Sequence, residues 1–208
     1  MGKMYEFIEA DQALDVESIR ADLADRPDLQ TLIADLSAQN NELLQEVQRL
    51  EVLCDHDAAL HILNRRGLSH ALEGAIALAD RHAVVSSFIY LDLDGFKPIN
   101  DQFGHGQGDH ILKELADHIK SRLRKTDHFA RLGGDEFAII LAHATPDQAL
   151  GKIQDLSRSV AKDSQNWGPG AESLTFSAGV SEIVAGQSAS EIIRIADENM
   201  YLNKALKA

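Results

Sequence analysis

Cysteine, basic residues and long apolar runs are all scarce in this sequence, and each scarcity argues against a class of protein. Cys54 is the one cysteine, so no intrachain disulfide can form and a reducing cytoplasm is the expected location. The 20 Lys and Arg residues are outnumbered by 33 Asp and Glu, and the formal charge of -13 argues against nonspecific binding to nucleic acid or to an anionic membrane. No apolar run approaches the roughly 20 residues of a membrane-spanning helix, and the N-terminus lacks a signal-peptide core.

The chain contains enough apolar material for one core of ordinary size and a smaller appendage, since 44% of its 208 residues are hydrophobic. Residues 1–28 are acidic and weakly patterned, with a short helix predicted over 14–23, and their role is open. The sequence shows no repeat and no low-complexity tract. We expect three parts: this N-terminal segment, a helical segment over 29–56 and a globular domain over 57–208.

A heptad pattern runs through the helical segment. Two series of residues recur at every seventh position, Leu29, Leu36, Leu43, Leu50 and Ile33, Asn40, Val47, Cys54. If the leucine series occupies heptad position d, the second series occupies position a. Leucine at d, with β-branched residues and one asparagine at a, is the pattern of a parallel two-stranded coiled coil, in which the buried asparagine fixes the register. The pattern ends at Asp57 and predicts a homodimer joined through this helix. An amphipathic helix packed on its own domain is the alternative.

Strand-like and helix-like segments alternate through the rest of the chain. Strands are predicted where β-branched and aromatic residues cluster, over 84–91, 127–131, 137–141 and 174–180. Helices are predicted over 68–80, 111–123, 146–162 and 190–204. A further short helix follows Gly95, and the glycine-rich stretch 103–109 is expected to interrupt it. A hairpin in the middle of such an alternation indicates an α+β fold with helices on a largely antiparallel sheet.

Acidic residues stand where two of these strands end. Asp92 follows the first predicted strand, and a carboxylate at the end of a buried strand is costly unless it is paired or bound to a metal ion. Gly133 and Gly134 favour a tight reversal, which places Asp135 and Glu136 at a hairpin tip. We expect the two strands to bring Asp92 and Asp135 together. Such carboxylates suit a divalent cation carrying phosphates, and a hairpin with a solvated acidic tip is the alternative.

Several short motifs follow one another through the globular domain. They are Asp-Leu-Asp-Gly-Phe-Lys-Pro-Ile-Asn-Asp at 92–101, Gly104-His105, Gly108-Asp109, Arg-Leu-Gly-Gly-Asp-Glu-Phe at 131–137, Ala196-Asp197, Tyr201 and Lys204. Together they resemble a GGDEF domain, the family of diguanylate cyclases, over residues 57–204. The resemblance implies a palm-like fold related to nucleotidyl cyclases. It also implies condensation of two GTP molecules into cyclic di-GMP with release of pyrophosphate.

The resemblance implies roles for individual residues at the reaction centre. Asp92 and Asp135 match side-chain ligands of Mg²⁺ or Mn²⁺, joined by the carbonyl of Leu93. Asp135 or Glu136 matches the group that helps to deprotonate the attacking 3′-hydroxyl, and the sequence does not separate these two roles. Lys97 matches a residue that neutralises charge growing on the phosphoryl group, the alternative being a solvated turn lysine.

Substrate-binding roles are implied for Phe96, Asn100, His105, Asp109 and Lys204. Asn100 and Asp109 match a guanine-binding pair. A carboxylate accepts from guanine N1–H and the 2-amino group, whereas adenine offers an acceptor there, so the pair predicts GTP over ATP. His105 matches a substrate-side position and Lys204 a phosphate-contacting lysine. A structural turn residue and a helix-surface lysine are the respective alternatives.

A last resemblance concerns inhibition by the product. Arg124 and Asp127 form an Arg-x-x-Asp motif a fixed distance before Gly133, as in the inhibitory site of many family members. In that site an arginine fork binds the guanine edges and phosphates of cyclic di-GMP, and the aspartate accepts from guanine. Arg158 is a candidate for a second arginine. An ordinary exposed ion pair is the alternative.

Two departures from the family pattern bear on activity. Residues 57–64 keep the ends of the family's Asp-x-Leu-Thr-Gly-Leu-x-Asn entry segment but lose its Thr and Gly, and no Gly-Arg-Asn follows Lys204. We expect the second departure to lower substrate affinity. Because the metal and guanine positions are intact, an active cyclase is the favoured function. The alternatives are a catalytically silent GGDEF module that binds GTP or cyclic di-GMP, and a coiled-coil interaction protein with a structural domain.

Overall fold

A computed structural model describes residues 26–207, with side chains described everywhere in that range except at 48–53. The helix predicted over 14–23 lies outside these residues. The chain divides into two units, the first ending at Glu51 and the second beginning at Val52. Among the helices within residues 26–207, none combines the length and the apolar character needed to cross a membrane.

The first unit contains most of helix α1, which spans Pro27–Asp55. The helix begins two residues before the predicted segment because proline is tolerated in the first turn, where its missing N–H is not needed. Apolar side chains at the predicted heptad positions are exposed in the single chain, namely Ile33 (47%), Leu36 (56%), Leu43 (67%) and Val47 (50%). Helix α1 therefore carries an exposed apolar stripe.

The second unit alternates helices with the strands of one sheet. In chain order its elements are α2 (Arg65–His82), β1 (Ser86–Asp94), α3 (Phe96–Phe103), α4 (His105–Lys120), β2 (His128–Gly133), β3 (Glu136–Leu141), α5 (Pro146–Asp163), β4 (Thr175–Ile183) and α6 (Ala189–Ala205). The strands pair antiparallel in the order β2-β3-β1-β4. This arrangement confirms the predicted α+β fold with helices on a largely antiparallel sheet.

Helices cover both faces of the sheet, so that β1 is buried on two sides. Ile89, Leu91 and Leu93 belong to a core that includes α4 and α5, whereas Phe88 and Tyr90 belong to a core that includes α2 and α6. This alternation follows the two-residue period of an extended strand. Burial on both faces explains why β1 is apolar almost without interruption until its acidic end.

The first residues of α2 show how a polar cap sets a helix boundary. The side chain of Asn64 accepts hydrogen bonds from the N–H groups of Arg66 and Gly67, so the helix begins at Arg65. The prediction that it starts at Leu68 was therefore wrong by one turn. The cap satisfies N–H groups that have no partner within the helix.

Helix α4 also begins earlier than predicted. Gly104, with a φ of 83°, separates α3 from α4, and the helix runs from His105 onward through Gly106 and Gly108. The prediction that glycines interrupt the chain over 103–109 was therefore wrong beyond Gly104. Each glycine costs a helix only about 1 kcal/mol, and the apolar face of α4 buried on the sheet outweighs that cost.

The segment between α1 and α2 runs beside β2. The N–H of Leu63 donates to the carbonyl of Phe129 at 3.0 Å, and the N–H of Arg131 donates to the carbonyl of Leu63 at 2.8 Å. The outer edge of β2 is covered in this way and offers fewer free groups for pairing with another chain. Asp57 closes the turn in this segment, because its carboxylate accepts from two following N–H groups at 2.9 Å.

Candidate active site

The end of β1 and the hairpin between β2 and β3 meet at one edge of the sheet. Asp92 lies opposite Glu136 in the antiparallel register, and the N–H of Leu93 donates to the carbonyl of Asp135 at 3.2 Å. Residues that are directly opposite in such a pair carry their side chains on the same face. The structure thus brings the predicted acidic residues together.

One arginine holds the turn that presents Asp135. Gly134 has a φ of 48°, a left-handed conformation that glycine adopts at little cost. The Nε and Nη2 atoms of Arg131 donate to the carbonyl of Gly134 at 3.0 and 2.8 Å, and its Nη1 lies 3.4 Å from the carboxylate of Asp57. Arg131 therefore joins this turn to the segment that precedes α2.

Lys204, near the end of α6, is ion-paired with Asp92. The hydrogen bond that Lys204 donates to Asp92 raises the pKa of Lys204 despite the opposing effect of partial burial, and the charges of Asp94 and Asp135 also raise it. The ammonium group therefore lies among the carboxylates that the sequence predicted as cation ligands. Its side chain is 43% exposed, which leaves room for a phosphate to approach.

Asp94 has a structural role that the sequence did not predict. Its carboxylate accepts hydrogen bonds from Ser177 at 2.7 Å, Thr175 at 2.9 Å and Lys207 at 3.2 Å. Burial acts to raise the pKa of Asp94, but these bonds outweigh it and hold the pKa below its usual value. The second aspartate of the Asp-Leu-Asp motif is thus committed to joining β1, β4 and the residues after α6.

The oxygen atoms of Asp92, Asp135 and the Leu93 carbonyl form the predicted donor set for a cation. These are hard ligands, which Mg²⁺ and Mn²⁺ prefer. Among the described side chains, which exclude those of residues 48–53, no group of three His, Cys, Asp or Glu is arranged to hold a metal ion. The donor set therefore fits a cation that takes its other ligands from water and phosphate, and it does not fit a cage made of protein side chains alone.

Tyr90 adds a buried phenol beside the acidic hairpin. Its side chain belongs to the core. Burial raises the pKa of the phenol, and the nearby carboxylate of Glu136 raises it further. Tyr90 is not among the site residues predicted from the sequence. The signal was present, because Tyr90 stands two positions before Asp92 and alternate residues of a strand share a face.

The predicted substrate-binding residues lie on α3 and α4. Asn100 is half-buried and close to Gly108, where an added Cβ would come within 2.0 Å of Asn100 Oδ1. Asp109 is the next residue on α4 and is exposed. The close contact at Gly108 thus brings the two predicted guanine-binding residues near each other.

Three further predicted residues differ in their exposure. Lys97, in the first turn of α3, and His105, the first residue of α4, are both exposed. Phe96 is 6% exposed and belongs to the core beneath Gly108. Phe96 therefore packs beneath Gly108 and is buried, whereas Lys97 and His105 are accessible to a ligand.

Arg124 borders two grooves at the opposite end of β2. Their volumes are about 180 and 410 Å³, and Lys152 lines the smaller one together with Arg124. The carboxylate of Asp127 accepts from the N–H groups of Arg124 at 2.9 Å and Ala142 at 3.3 Å, so it shapes the turn that presents the arginine. Arg158 is ion-paired with Asp155 and lines a separate groove.

Comparison with known families identifies the domain. The family model described as diguanylate cyclase, GGDEF domain, matches residues 54–208. The chain belongs to the GGDEF family. The family resemblance predicted from the sequence motifs is thereby confirmed.

Curated GGDEF proteins share about a third of their residues with this chain. It is 34% identical over 164 residues to diguanylate cyclase DosC of Escherichia coli K12, a match that covers 78% of this chain and 35% of that protein. It is also 34% identical over 160 residues to diguanylate cyclase DgcS of Shewanella oneidensis, covering 77% of this chain and 53% of that protein. The chain thus spans only about a third to a half of these relatives' lengths.

Solved GGDEF structures have the same fold. A microbial GGDEF domain studied for its interaction with bis-(3′,5′)-cyclic di-GMP is 34% identical, with a TM-score of 0.66 over 74% of this chain and 93% of that chain. Diguanylate cyclase SiaD of Pseudomonas aeruginosa, solved with its activator SiaC, is 28% identical, with a TM-score of 0.68 over 91% of this chain and 75% of that chain.

Proposed function

We propose that the chain is a diguanylate cyclase that condenses two GTP molecules into cyclic di-GMP. The observation that carries the proposal is the meeting of Asp92, Asp135 and Lys204 at one edge of the sheet. Binding of a triphosphate uses both carboxylates and an ammonium group. Carboxylates hold a cation against the phosphates, and an ammonium group binds phosphate oxygens directly.

The residues around this edge divide the chemistry between them. Asp92, Asp135 and the Leu93 carbonyl would hold a divalent cation, which would supply charge neutralisation and Lewis-acid polarisation of the phosphates. Lys204 and the exposed Lys97 stabilise the negative charge of the transition state, which is the main requirement of phosphoryl transfer. The 3′-oxygen of one GTP bonds to the α-phosphorus of the other, and the bond to pyrophosphate breaks.

The proton of the attacking 3′-hydroxyl goes to a carboxylate of the hairpin. With Asp135 among the cation ligands, Glu136 is the carboxylate left to accept this proton. Its position opposite Asp92 supports this assignment, because it places Glu136 on the face of the sheet that carries the proposed cation ligand. Each transfer releases one pyrophosphate, and two transfers complete the cyclic product.

Selectivity for guanine is assigned to Asn100 and Asp109. Their proximity across the contact at Gly108 supports a shared base-binding site. The carboxylate of Asp109 accepts from the N1–H and 2-amino groups of guanine, and adenine would leave it without a donor. GTP is therefore the proposed substrate and ATP is not.

The active form is proposed to be a homodimer. One domain provides one nucleotide site, and the product is two-fold symmetric, so two domains must face each other to align each 3′-hydroxyl with the opposing α-phosphate. The exposed apolar stripe of α1 supports a parallel coiled coil that keeps two domains close.

Inhibition by cyclic di-GMP is proposed to occur at Arg124. The arginine borders two grooves, and the turn closed by Asp127 holds it at their junction. Because this region lies at the other end of β2 from the Gly133-Gly134 turn, product bound there leaves the guanine site free. Inhibition should therefore be noncompetitive with GTP.

The test is to incubate the purified chain with Mg²⁺ and either GTP or ATP and to identify products by mass spectrometry. The proposal predicts cyclic di-GMP from GTP and no cyclic product from ATP. Asp109→Asn, which keeps the shape of the side chain, should weaken the preference for GTP. Binding of GTP or cyclic di-GMP without turnover would contradict the cyclase proposal and favour a silent GGDEF module.

A further inference from the structure

Three side chains on and just after α6 bind the outer edge of β4. Each donates to one carbonyl group of the strand: Asn199 to Val180 at 2.8 Å, Asn203 to Ala178 at 2.8 Å and Lys207 to Phe176 at 2.7 Å. We call these three donors the α6 ladder. Because β4 is the last strand in the sheet order, its outer carbonyl groups have no neighbouring strand to pair with.

The spacing of the donors matches the spacing of the acceptors. Positions four residues apart on a helix are separated by about 6 Å along its axis. Carbonyl groups two residues apart on a strand are separated by about 6.6 Å. Helix and strand run in opposite directions through the ladder, so all three contacts form together in one register only.

A glycine allows the helix to come close enough for these bonds. A Cβ at residue 179 would lie 2.1 Å from the carbonyl oxygen of Ala196 and 2.2 Å from the nitrogen of Met200. The backbone of α6 is therefore in direct contact with β4 at Gly179. This close approach brings the side-chain donors of α6 within reach of the β4 carbonyl groups, and the ladder limits how far the helix can slide along the strand.

The register of α6 matters because Lys204 follows Asn203 directly. A slip of one residue moves a helical side chain by about 1.5 Å along the axis and turns it by about 100°. Such a slip would remove the ammonium group from Asp92, to which it is ion-paired. No other lysine of α6 would take its place, since Lys204 is the only lysine within Ala189–Ala205.

We propose that the α6 ladder positions Lys204 for triphosphate binding by fixing the register of α6 on β4. Asn199 and Asn203 are positioning residues in this inference, because they act through Lys204 and bond only to the strand. The inference rests on the proposed function. It extends that function by assigning part of the affinity for GTP to residues that bind β4, the last strand of the sheet.

The test uses competitive acetylation of lysines, with the rate at each site measured by peptide mass spectrometry. The variants are Asn203→Ala, which removes one donor, and Asn203→Asp, which keeps the shape but places a carboxylate against a carbonyl group. Glu198→Gln alters a surface ion pair on the same helix and serves as a local control. Ser159→Ala removes a hydrogen bond to His118 on another helix and serves as a control for lost stability.

In the wild type, Lys204 should react more slowly than the exposed Lys162, because Lys204 is half-buried and ion-paired with Asp92. Asn203→Ala should increase the rate at Lys204 several-fold and leave Lys162 unchanged, and Asn203→Asp should have a larger effect. The KM for GTP should rise several-fold with a smaller change in kcat, since Lys204 binds phosphate before and during reaction. Neither control should change the ratio of the Lys204 and Lys162 rates.

An unchanged rate at Lys204 in folded Asn203→Ala would contradict the inference, as would an equal change in Ser159→Ala at the same loss of stability. If Asn203→Ala does not fold, Lys207→Met at the exposed end of the ladder takes its place with the same expectation. The labelling result does not depend on turnover. A wild type that makes no cyclic di-GMP, but in which Lys204 still responds to Asn203→Ala, supports the ladder and rejects only the cyclase proposal.

Discussion

Lys204 and Asp92 are 112 residues apart in the sequence and form an ion pair at the edge of the sheet. The pair joins the last helix to the central strand, and it lies beside Asp135. A positive charge and two carboxylates at one place are suited to a ligand that carries both negative phosphates and a cation. Lys204 and the two carboxylates are therefore expected to be needed for binding and turnover of GTP.

Lys204→Met removes the ammonium group and keeps a long apolar side chain. We expect GTP affinity to fall about tenfold or more, since a hydrogen bond to a charged group contributes about 1.5–3 kcal/mol. Isothermal titration with GTP and Mg²⁺ measures the change. Lys162→Met, at the exposed end of α5, is the matched control and should bind as the wild type does. Equal affinity of the Lys204 variant and the wild type would remove Lys204 from the phosphate site.

Asp135→Asn keeps the shape of the side chain and removes the charge that holds the cation. We expect near-complete loss of turnover with little change in the unfolding midpoint. Initial rates at saturating Mg²⁺ and a urea unfolding curve measure the two quantities. Asp155→Asn, at an exposed ion pair on α5, should keep the wild-type rate. A variant at Asp135 that retains most of its activity would place the chemistry elsewhere.

The acidic edge was predictable from the sequence because its signals are local. The strand leading to Asp92 is apolar and β-branched, and the glycine pair before Asp135 indicates a tight turn. β1 ends with carboxylates and β3 begins with one, so antiparallel pairing of these two strands is enough for the carboxylates to meet. The register of Asp92 opposite Glu136 shows that they do.

Contacts that depend on tertiary packing were not predictable in the same way. Lys204 meets Asp92 because of the register of α6 on β4. No sequence pattern near Lys204 indicates that register. The carboxylate of Asp127 was expected to form an ion pair or to accept from guanine, and in the structure it bonds to backbone N–H groups. Arg158 was a candidate partner of Arg124. In the structure Lys152 of α5 lines the smaller groove beside Arg124, whereas Arg158 lines a separate groove.

The coiled coil is tested by placing charge in its predicted seam. Leu36→Asp with Leu43→Asp should give a folded, monomeric chain with little turnover at low concentration, because charged residues at d positions oppose helix pairing. Analytical ultracentrifugation and initial rates on the same samples measure both effects. Ala38→Asp with Gln45→Asp places the same charges on the outer side of the predicted coiled coil and should stay dimeric. Full activity in a verified monomer would refute the dimeric scheme.

Product inhibition is tested at Arg124. Arg124→Ala should weaken inhibition by cyclic di-GMP about tenfold or more, because a charge-assisted arginine contact contributes about 1.5–3 kcal/mol. Arg158→Ala should leave inhibition unchanged, since Arg158 lines a separate groove. Initial rates over a series of cyclic di-GMP concentrations compare the three proteins. Equal inhibition of the wild type and Arg124→Ala would make the Arg-x-x-Asp motif a structural turn only.

Stability should depend on pH through His118. Burial and the charge of Arg122 lower the pKa of His118 below 6.5, against the opposing charge of Asp163. The unfolded chain therefore binds this proton more readily than the folded chain. The stabilising contribution is complete above pH 6.5 and is lost as the pH falls below 6.5 through the pKa of the folded state.

Urea unfolding between neutral pH and about pH 5.5 measures this contribution. His118→Gln should flatten the dependence of the unfolding midpoint on pH in this range, and His110→Gln, an exposed control on the same helix, should leave it as in the wild type. An unchanged pH dependence in His118→Gln would assign the effect to other groups.

The most direct test of the proposed reaction is a mass balance by ³¹P NMR on the purified chain with GTP and Mg²⁺. Two GTP consumed should yield one cyclic di-GMP and two pyrophosphates, with both products absent in Asp135→Asn. Folded, dimeric protein that binds GTP and forms no cyclic di-GMP, or that releases pyrophosphate equally well with Asn at position 135, would contradict the account.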